Sequence, residues 1–319
     1  MLLNKQLLTT IVLKANALGT ILLAFKDSKI QRFQDFKINH LLNISLVVYR
    51  TPEDELANVL VTLLQSDMVR RIYVIDNSPE PLSVLPWEKG GAVFAKVGDI
   101  PYRRIEYRHT GRNIGYGAAH NIAMRETIYD EVPYHLVMNT DLRFEPDILH
   151  KLVAQMEQEP AIGLLQPRVV DEDGEMQYLC KRLPSPWDLM RRVLLGRHIS
   201  GNKGNDRFEL RHLDHSRPIN APYLSGCFML LRTAALMKAG LFDERFFMYP
   251  EDIDLTRRLH RDYLTLYYPS ETIVHAHRRA SYHSLRMLYV HATNMCRYFN
   301  KWGWLHDPEC RLYNALLDK

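Results

Sequence analysis

Cysteine is scarce in this 319-residue sequence, which contains four. They are Cys180, Cys227, Cys296 and Cys310, and no two of them form a C-x-x-C pair or a zinc-ligand spacing. This pattern argues against a disulfide framework or a cysteine-rich zinc domain. It predicts buried or free thiols in a protein of a reducing compartment.

Long apolar runs are also absent. Residues 7–25 are mostly apolar, but Lys14 interrupts them, and the uncharged stretch 15–25 is well short of the ~20 residues that span a bilayer. The apolar residues of this region fit one helical stripe. We therefore predict that residues 1–43 form a helical N-terminal extension that docks on the protein or on a membrane surface.

Neither sign of charge dominates. The 41 Lys and Arg residues against 37 Asp and Glu residues give a net charge of +4, too small to indicate a nucleic acid as the main partner. Hydrophobic residues make up 46% of the chain and charged residues 24%. This balance is typical of a folded protein with a substantial core and excludes disordered and collagen-like classes.

Short apolar runs alternate with helical patterns from Asn43 onward. The predicted strands are 43–49, 71–75, 104–108, 134–138 and 162–170, and the predicted helices are 53–65, 117–129 and 146–158. Successive βα units of this kind predict an α/β protein with a mostly parallel, Rossmann-like sheet and helices on both faces. The stretch from Leu183 to Asn220 is richer in proline, glycine and charge, and we predict a mobile loop there.

A second amphipathic segment lies near the C-terminus. The apolar residues from Tyr282 to Phe299 share one helical stripe, so residues 278–319 are predicted to form a helical appendage. The residues that accompany the stripe are basic or aromatic: Arg286, Arg297, Lys301, Trp302 and Trp304. Such a helix suits peripheral contact with the cytoplasmic face of the inner membrane. The alternatives are packing on the rest of the chain or on a second copy in a homodimer.

Polar motifs follow three of the predicted strands. Asp76 ends the second strand, residues 113–121 follow the third, and residues 139–141 follow the fourth. Ligands bind beyond the carboxyl ends of the strands in parallel sheets. We therefore expect these motifs to form one binding edge.

The tripeptide Asn139-Thr140-Asp141 is a candidate metal site. Asp141 follows a buried strand, and Asn139 faces the same way two residues earlier. Mg²⁺ and Mn²⁺ prefer carboxylate and phosphate oxygens, so this placement suits a nucleotide diphosphate. His275, after the β-like run 273–274, is a second candidate ligand. Taken singly, N-x-D is also a common turn pattern, and a lone histidine is more often structural.

Two further motifs suit a nucleotide. Asp76 can accept hydrogen bonds from a base or ribose, or it can close an ordinary Asx-turn. Residues 113–121 form a turn with Gly115 and Gly117 that leads into a helix, and helix N-termini bind phosphate. The segment lacks the full dinucleotide-binding or P-loop spacing.

The acidic segment Glu251-Asp252-Ile253-Asp254 is the candidate catalytic segment. Transfer of a sugar by a single displacement requires a base that deprotonates the acceptor hydroxyl, and a carboxylate supplies one. The alternative is structural, because acids in the first turn of a helix stabilise its dipole.

These motifs, in their order, resemble the inverting family-2 glycosyltransferases of the GT-A fold. The resemblance is closest to the rhamnosyltransferase-like bacterial members that build O-antigens and capsules, and it covers residues 44–277. It is carried by the segments Ile44–Tyr49, Val74–Ser78, Asn113–Asn121, Asn139–Asp141, Tyr223–Arg232, Gly240–Glu244 and Phe246–Leu255. The resemblance implies a GT-A domain over residues 44–277.

The resemblance also implies roles by position. Asp252 would be the catalytic base with Glu251 beside it, while Asp141 and His275 would hold Mg²⁺ or Mn²⁺. The residues implied in nucleotide binding are Tyr49, Asp76, Asn113, Gly115, Gly117 and Asn139. The sequence departs from the family pattern at Asn139, which replaces the first aspartate of the D-x-D motif and removes one negative charge.

The implied reaction is transfer from a nucleotide-diphosphate sugar, either dTDP-rhamnose or a UDP-sugar, to a glycan or lipid-linked glycan acceptor, in the cytoplasm. One alternative is a nucleotidyltransferase, which needs a glycine-rich loop with a basic residue after the first strand. Residues Tyr49–Pro52 stand there instead. The other is an inactive glycan-binding protein, which would have lost Asp141 or Asp252, yet both are present.

Overall fold

The computed structural model of the chain describes residues 41–82, 104–187, 203–276 and 285–318. The predicted N-terminal helix therefore lies outside the described residues.

One nine-stranded sheet organises the described residues, in the order β3-β2-β1-β4-β10-β6-β11-β5, with β8 paired to β11. β10 runs antiparallel to β4 and β6, and the short β5 and β8 run antiparallel to β11, while the other pairs are parallel. The mostly parallel sheet is therefore confirmed. Its strands are β1 (Leu42–Val48), β2 (Val69–Asp76), β3 (Ile105–His109), β4 (Tyr134–Met138), β5 (Leu142–Arg143), β6 (Ile162–Val170), β8 (Ile219–Asn220), β10 (Phe228–Arg232) and β11 (Leu264–His275).

A separate two-stranded sheet joins β7 (Cys180–Lys181) to β9 (Tyr223–Leu224). The helices are α1 (Glu53–Leu64), α2 (Tyr116–Tyr129), α3 (Asp147–Gln158), α4 (Lys203–Phe208), α5 (Thr233–Ala239), α6 (Pro250–Leu259), α7 (Leu285–Trp302) and α8 (Pro308–Leu316). The three helices predicted between the first strands, α1, α2 and α3, are present within a residue or two of their predicted bounds.

Side-chain alternation along the strands places helices on both faces of the sheet. In β10, Phe228 and Leu230 join the core cluster that includes α1 and α3. Met229 and Leu231 point the other way, into the cluster that includes α5 and α6. Burial of the strand on both faces explains why its first four residues, 228–231, are all apolar.

One part of the interior is polar, between β1, β4 and α2. Thr127 Oγ1 donates to the main chain of its own helix, so it accepts from His135 Nδ1 at 2.7 Å and from Asn43 at 3.1 Å. His135 Nε2 then accepts from Ser45 Oγ at 2.8 Å, and Ser45 accepts from His120 Nδ1 at 2.6 Å. Burial lowers the pKa of both histidines, to about 3 for His135, so both rings are neutral. This ladder fixes α2 against the sheet.

The C-terminal helices pack on α6 and its approach. Met295, Tyr298 and Phe299 of α7 are buried, in one cluster with Cys310 of α8 and with three residues of the preceding chain, Leu183, Phe246 and Ile253. Of the three alternatives for the apolar stripe, packing on the rest of the chain is therefore the one observed for these residues. The predicted mobile loop is wrong in the parts of 183–220 that the structure describes. Leu183 is fully buried under the helical appendage, and the range also contains helix α4 and strand β8.

Polar contacts also tie the appendage to α6. The guanidinium of Arg257 is 1% exposed and lies 2.5 Å from Asp307 and 2.8 Å from Glu309. It stacks 3.9 Å from the ring centre of Trp302. Trp302, one of the residues that suggested a membrane helix, donates its indole N–H to Asp254 at 2.9 Å.

Within the described ranges, no helix combines the length and the apolar composition that a bilayer crossing requires. The four cysteines are free thiols, as predicted, and three of them are buried while Cys296 is exposed.

Candidate active site

The carboxyl ends of β1 and β2 are joined through their main chains. Asn77 N donates to Val48 O at 2.9 Å, and Arg50 N donates to Ser78 Oγ at 2.8 Å. Arg50 has a positive φ of 54°, so the chain turns sharply where β1 ends. The turn leaves the ring of Tyr49 46% exposed at this edge.

Asp76 is fully buried at the end of β2. One carboxylate oxygen accepts from Ser78 N at 2.8 Å, and the other accepts from Tyr107 Oη at 2.6 Å and from Leu82 N at 3.2 Å. Burial and the contact with Asp76 raise the pKa of Tyr107 to about 12, so its hydroxyl remains a donor. The local geometry is therefore that of an Asx-turn, and a base that bonded Asp76 would replace one of these donors.

The turn before α2 is closed by contacts within the protein. Gly115 N donates to Asn113 Oδ1 at 3.0 Å, and Tyr116 N donates to Phe247 O at 3.0 Å. Gly115 has a φ of 96°, and a Cβ there would lie 2.5 Å from Phe247 O. Both amides are thus used by protein acceptors, and Gly115 is required by a close approach of two main chains.

Gly117 has a similar packing role. A Cβ at this position would lie 2.8 Å from Phe242 Cβ, too close for any larger residue without displacement. The start of α2 therefore lies directly against the segment that leads to the acidic helix α6.

Asp141 and His275 meet where β4 and β11 end. Asp141 Oδ1 lies 3.3 Å from His275 Nε2. Gln177 clamps the histidine: its amide nitrogen donates to His275 O at 3.1 Å, so its oxygen faces His275 Nδ1 at 3.0 Å and accepts the proton from it. When the ring is neutral, this tautomer has its lone pair on Nε2, the atom that faces the carboxylate.

This arrangement fits a divalent cation. Asp141 Oδ1 is buried and accepts no hydrogen bond from the described residues, although a nitrogen lies near it. The interaction between a carboxylate oxygen and the lone pair of an imidazole nitrogen is repulsive on its own, but both atoms can bind the same cation. Gln177 would then be the outer partner that orients the histidine. Thr140 donates to Glu55 at 2.5 Å, which fixes the loop.

The protein offers few ligands of its own. Among the described residues, no group of three or more His, Cys, Asp and Glu side chains could hold a metal. Two protein ligands suit Mg²⁺ or Mn²⁺ shared with a substrate phosphate, because Mg²⁺ is usually bound through one or two carboxylates, substrate phosphates and water.

Asp252 lies in the first turn of α6, with both carboxylate oxygens held by main-chain amides. Gly226 N donates to one at 2.9 Å and Ile253 N donates to the other at 2.8 Å. Burial nevertheless raises the pKa of Asp252 to about 6. An ionised carboxylate with such a pKa is a better base than an exposed aspartate.

Glu251 is 4% exposed, and its Oε2 has no hydrogen-bond partner among the described residues. Burial, followed by the charge of Asp252, raises the pKa of Glu251 well above its ordinary value. Burial and the proximity of the two carboxyl groups therefore disfavour a second negative charge beside the first.

Tyr116 joins the two halves of the site and was not singled out from the sequence. Its buried hydroxyl lies 3.0 Å from Asn139 Oδ1 and 2.8 Å from Gly226 O. Gly226 in turn donates its amide to Asp252. The phenol thus connects the candidate metal loop to the peptide that holds the candidate base. The residue lies inside the segment 113–121, but its partners are distant in sequence.

Replacing Tyr116 with phenylalanine is expected to lower kcat/KM by about 5–30-fold, since one or two buried hydrogen bonds of about 1 kcal/mol each are lost. The ring contacts with His120 and Phe242 would remain. Steady-state kinetics and thermal denaturation check this. Tyr129→Phe, on the same helix but 84% exposed, is the matched control. A loss of thermal stability with unchanged kinetic constants would show that Tyr116 only supports the fold.

The main chain is strained at Tyr249, three residues before Asp252. Tyr249 has φ 95° and ψ −70°, a region that costs a non-glycine residue roughly 1–3 kcal/mol. Helix α7 holds it there: buried Asn294 donates to Met248 O at 3.0 Å, and His291 lies 4.7 Å from the Tyr249 ring. The appendage therefore helps to set the position of the acidic segment.

Solved structures share this architecture. GalNAc-T7 with UDP, GalNAc and Mn²⁺ superposes with a TM-score of 0.53 at 14% identity, covering 82% of this chain and 48% of that one. The mannosyltransferase PcManGT from Pyrobaculum calidifontis, in complex with GDP-Man and Mn²⁺, gives 0.52 at 14% identity and covers 82% and 63%. The fold is the GT-A fold of the glycosyltransferases.

Sequence comparison places the chain within that fold class. The model of glycosyl transferase family 2 matches residues 44–240, and the chain belongs to this family. It is 30% identical over 206 residues to the N-acetylglucosaminyl-diphospho-decaprenol L-rhamnosyltransferase of two Mycobacterium tuberculosis strains. That alignment covers 61% of this chain and 66% of the relative, so the chain spans just under two thirds of the relative's length.

Proposed function

We propose that this protein is an inverting glycosyltransferase that moves a sugar from a nucleotide-diphosphate donor to a hydroxyl group of a glycan. The observation that carries the proposal is the pairing of Asp252, a buried carboxylate whose pKa is raised to about 6, with the Asp141–His275 pair at the same sheet edge. Tyr116 connects the two parts. Family membership supports the same reaction class.

We assign Asp141 and His275 as the protein ligands of Mg²⁺ or Mn²⁺. The cation would neutralise the charge that grows on the departing diphosphate. The solved relatives that contain Mn²⁺ support this assignment. Asn139 contributes no charge, and its side-chain oxygen accepts from Tyr116, so its role is to shape the loop.

In the proposed mechanism Asp252 takes the proton of the acceptor hydroxyl. The acceptor oxygen forms a bond to the anomeric carbon of the donor as the bond from that carbon to the diphosphate breaks. One displacement inverts the anomeric configuration. The raised pKa of Glu251 favours its neutral form beside Asp252, which keeps a second negative charge away from the acceptor.

The donor we favour is dTDP-rhamnose, with a UDP-sugar as the alternative, and the acceptor is a lipid-linked glycan. The name of the mycobacterial relative, which combines rhamnosyl transfer with a diphosphate-linked acceptor, supports this choice. Nucleotide sugars are made in the cytoplasm, so we place the reaction there, on the cytoplasmic side of the membrane where a lipid-linked acceptor would be reached.

A screen of the full chain against a panel of nucleotide sugars tests this function. With Mn²⁺ present, we expect slow hydrolysis of one donor, followed by NMR or chromatography, and loss of the reaction in EDTA. Hydrolysis of none of the donors, with no metal-dependent thermal shift by UDP, dTDP or GDP, would favour a glycan-binding protein. Formation of a nucleotide sugar from a sugar phosphate and a nucleoside triphosphate would instead identify a nucleotidyltransferase.

A further inference from the structure

A surface pocket of about 380 Å³ lies between α7 and the segment that precedes α6. Its walls are Arg245, Phe246, Arg297, Asn300 and Lys301. Three of the five side chains are cationic and one is an amide, so the groups that line the pocket are mainly hydrogen-bond donors. Its volume lies within the range of ~300–1,000 Å³ that is usual for ligand pockets.

Two of the cations share a carboxylate. Arg245 lies 2.6 Å from Asp243, and Lys301 lies 2.8 Å from the same group. Lys301 also lies 2.6 Å from Asp254, whose other oxygen accepts from Arg258 at 2.9 Å. The carboxylates of Asp243 and Asp254 orient these side chains but do not neutralise their charge, because they face three cations, Arg245, Lys301 and Arg258. Arg297 is a fourth cation.

Arg297 adds a further positive charge. Its guanidinium donates to Arg245 O and to Asn294 Oδ1, both at 2.9 Å. Both acceptors are neutral, and no carboxylate in the described part of the chain lies within ion-pair distance of it. The side chain is exposed at the pocket. The pocket is therefore built to attract an anion.

The pocket lies beside the segment that precedes the proposed base in the chain. Arg245 and Phe246 lie in the segment that runs directly into Glu251 and Asp252. The same face of α7 that supplies Arg297 also holds that segment through Asn294.

We propose that this pocket binds the diphosphate group of a lipid-linked acceptor, an inference that rests on the proposed function. Guanidinium groups form paired hydrogen bonds to phosphate oxygens, and Arg245 and Arg297 provide two of them. Lys301 and the amide of Asn300 complete a set of donors that matches a diphosphate. Binding there would hold the acceptor sugar in one register beside the base.

Direct binding of inorganic pyrophosphate tests the pocket, with EDTA present so that a metal-dependent donor site does not contribute. Calorimetry or NMR titration of the full chain is expected to show binding that Arg297→Gln weakens about 10-fold. Arg245→Gln, at a side chain that is 69% exposed, is the second variant, and it avoids the contacts that Arg297 makes with the main chain. Arg217→Gln, on a side chain that is 83% exposed, is the charge-matched control. Equal pyrophosphate affinity in all four proteins would overturn the proposal.

Kinetics distinguish a bound acceptor from a free anion or a lipid surface. The probes are N-acetylglucosaminyl diphosphate carried on a prenyl chain and the octyl glycoside of the same sugar. Arg297→Gln is expected to raise KM about 10-fold for the diphosphate acceptor and little for the glycoside. Equal increases for both probes would overturn the assignment, as would an effect confined to flotation with phosphatidylglycerol vesicles. Wild-type donor hydrolysis, measured without acceptor, tests the proposed function separately, because pyrophosphate binding does not depend on it.

Discussion

Asp252→Asn is expected to lower sugar transfer by roughly 10²–10⁴-fold, the usual contribution of a general base. The asparagine keeps the size of the side chain but cannot take up the acceptor proton. Donor affinity is expected to stay within a few-fold of wild type, because Asp252 contacts Gly226 N and Ile253 N rather than the metal loop. Transfer assays and donor titrations on the same preparations check both parts.

The neighbouring acid provides the control. Burial raises the pKa of Glu251 and so favours its neutral form, which the amide of Glu251→Gln resembles. This substitution is therefore expected to cost much less than Asp252→Asn. Near-normal turnover by Asp252→Asn would instead make Glu251 or Asp254 the next candidate for the base.

If Asp252 is the base, the activity of the enzyme should decrease at low pH. With a pKa of about 6, Asp252 is protonated below that pH and cannot act as a base, so kcat/KM should fall as the pH is lowered through about 6.

The product is expected to carry the anomeric configuration opposite to that of the donor, which NMR of the anomeric proton reports. Retention of configuration would contradict a single displacement.

The alternation of strands and helices was predictable because each element carries its own apolar period. The predicted bounds of β4 and β6 agree with the structure. The direction of β10 was not predictable, because its short apolar run, residues 228–231, is equally suited to parallel and antiparallel neighbours. Its place between β4 and β6 depends on pairings with residues far away in sequence, such as Leu230 with Leu136 and Leu165.

The candidate site residues could be named from the sequence, but their hydrogen-bond partners could not. The orientation of His275 depends on Gln177, 98 positions away. The contact between Tyr116 and Gly226 spans 110 positions. The C-terminal stripe has a pattern that suits both a membrane helix and a helix packed on protein, because apolar and basic residues alternate in the same way in both. The contact of Trp302 with Asp254 joins distant residues and could not be predicted from this pattern.

Removal of the Asp141 carboxylate is expected to abolish metal-dependent nucleotide binding. Asp141→Ala deletes one of the two side chains that fit a cation at this edge and leaves His275 alone. The affinity for UDP or dTDP in Mn²⁺ should fall by about 100-fold or more, beyond the 10–100-fold that is typical for loss of an outer partner. Calorimetry with and without Mn²⁺, and the spin-resonance signal of bound Mn²⁺, measure this independently of turnover.

Two further variants separate a ligand from a merely structural carboxylate. Gln177→Leu removes the group that orients His275 and should weaken Mn²⁺ binding by about 10–100-fold, less than Asp141→Ala, because both ligands remain. Asp173→Asn, at an exposed position in the turn after β6, should change nothing. If Asp141→Ala binds nucleoside diphosphate in Mn²⁺ as tightly as the wild type and as Asp173→Asn, then Asp141 is not a metal ligand. In that case the contact of its buried oxygen with His275 would have a structural role only.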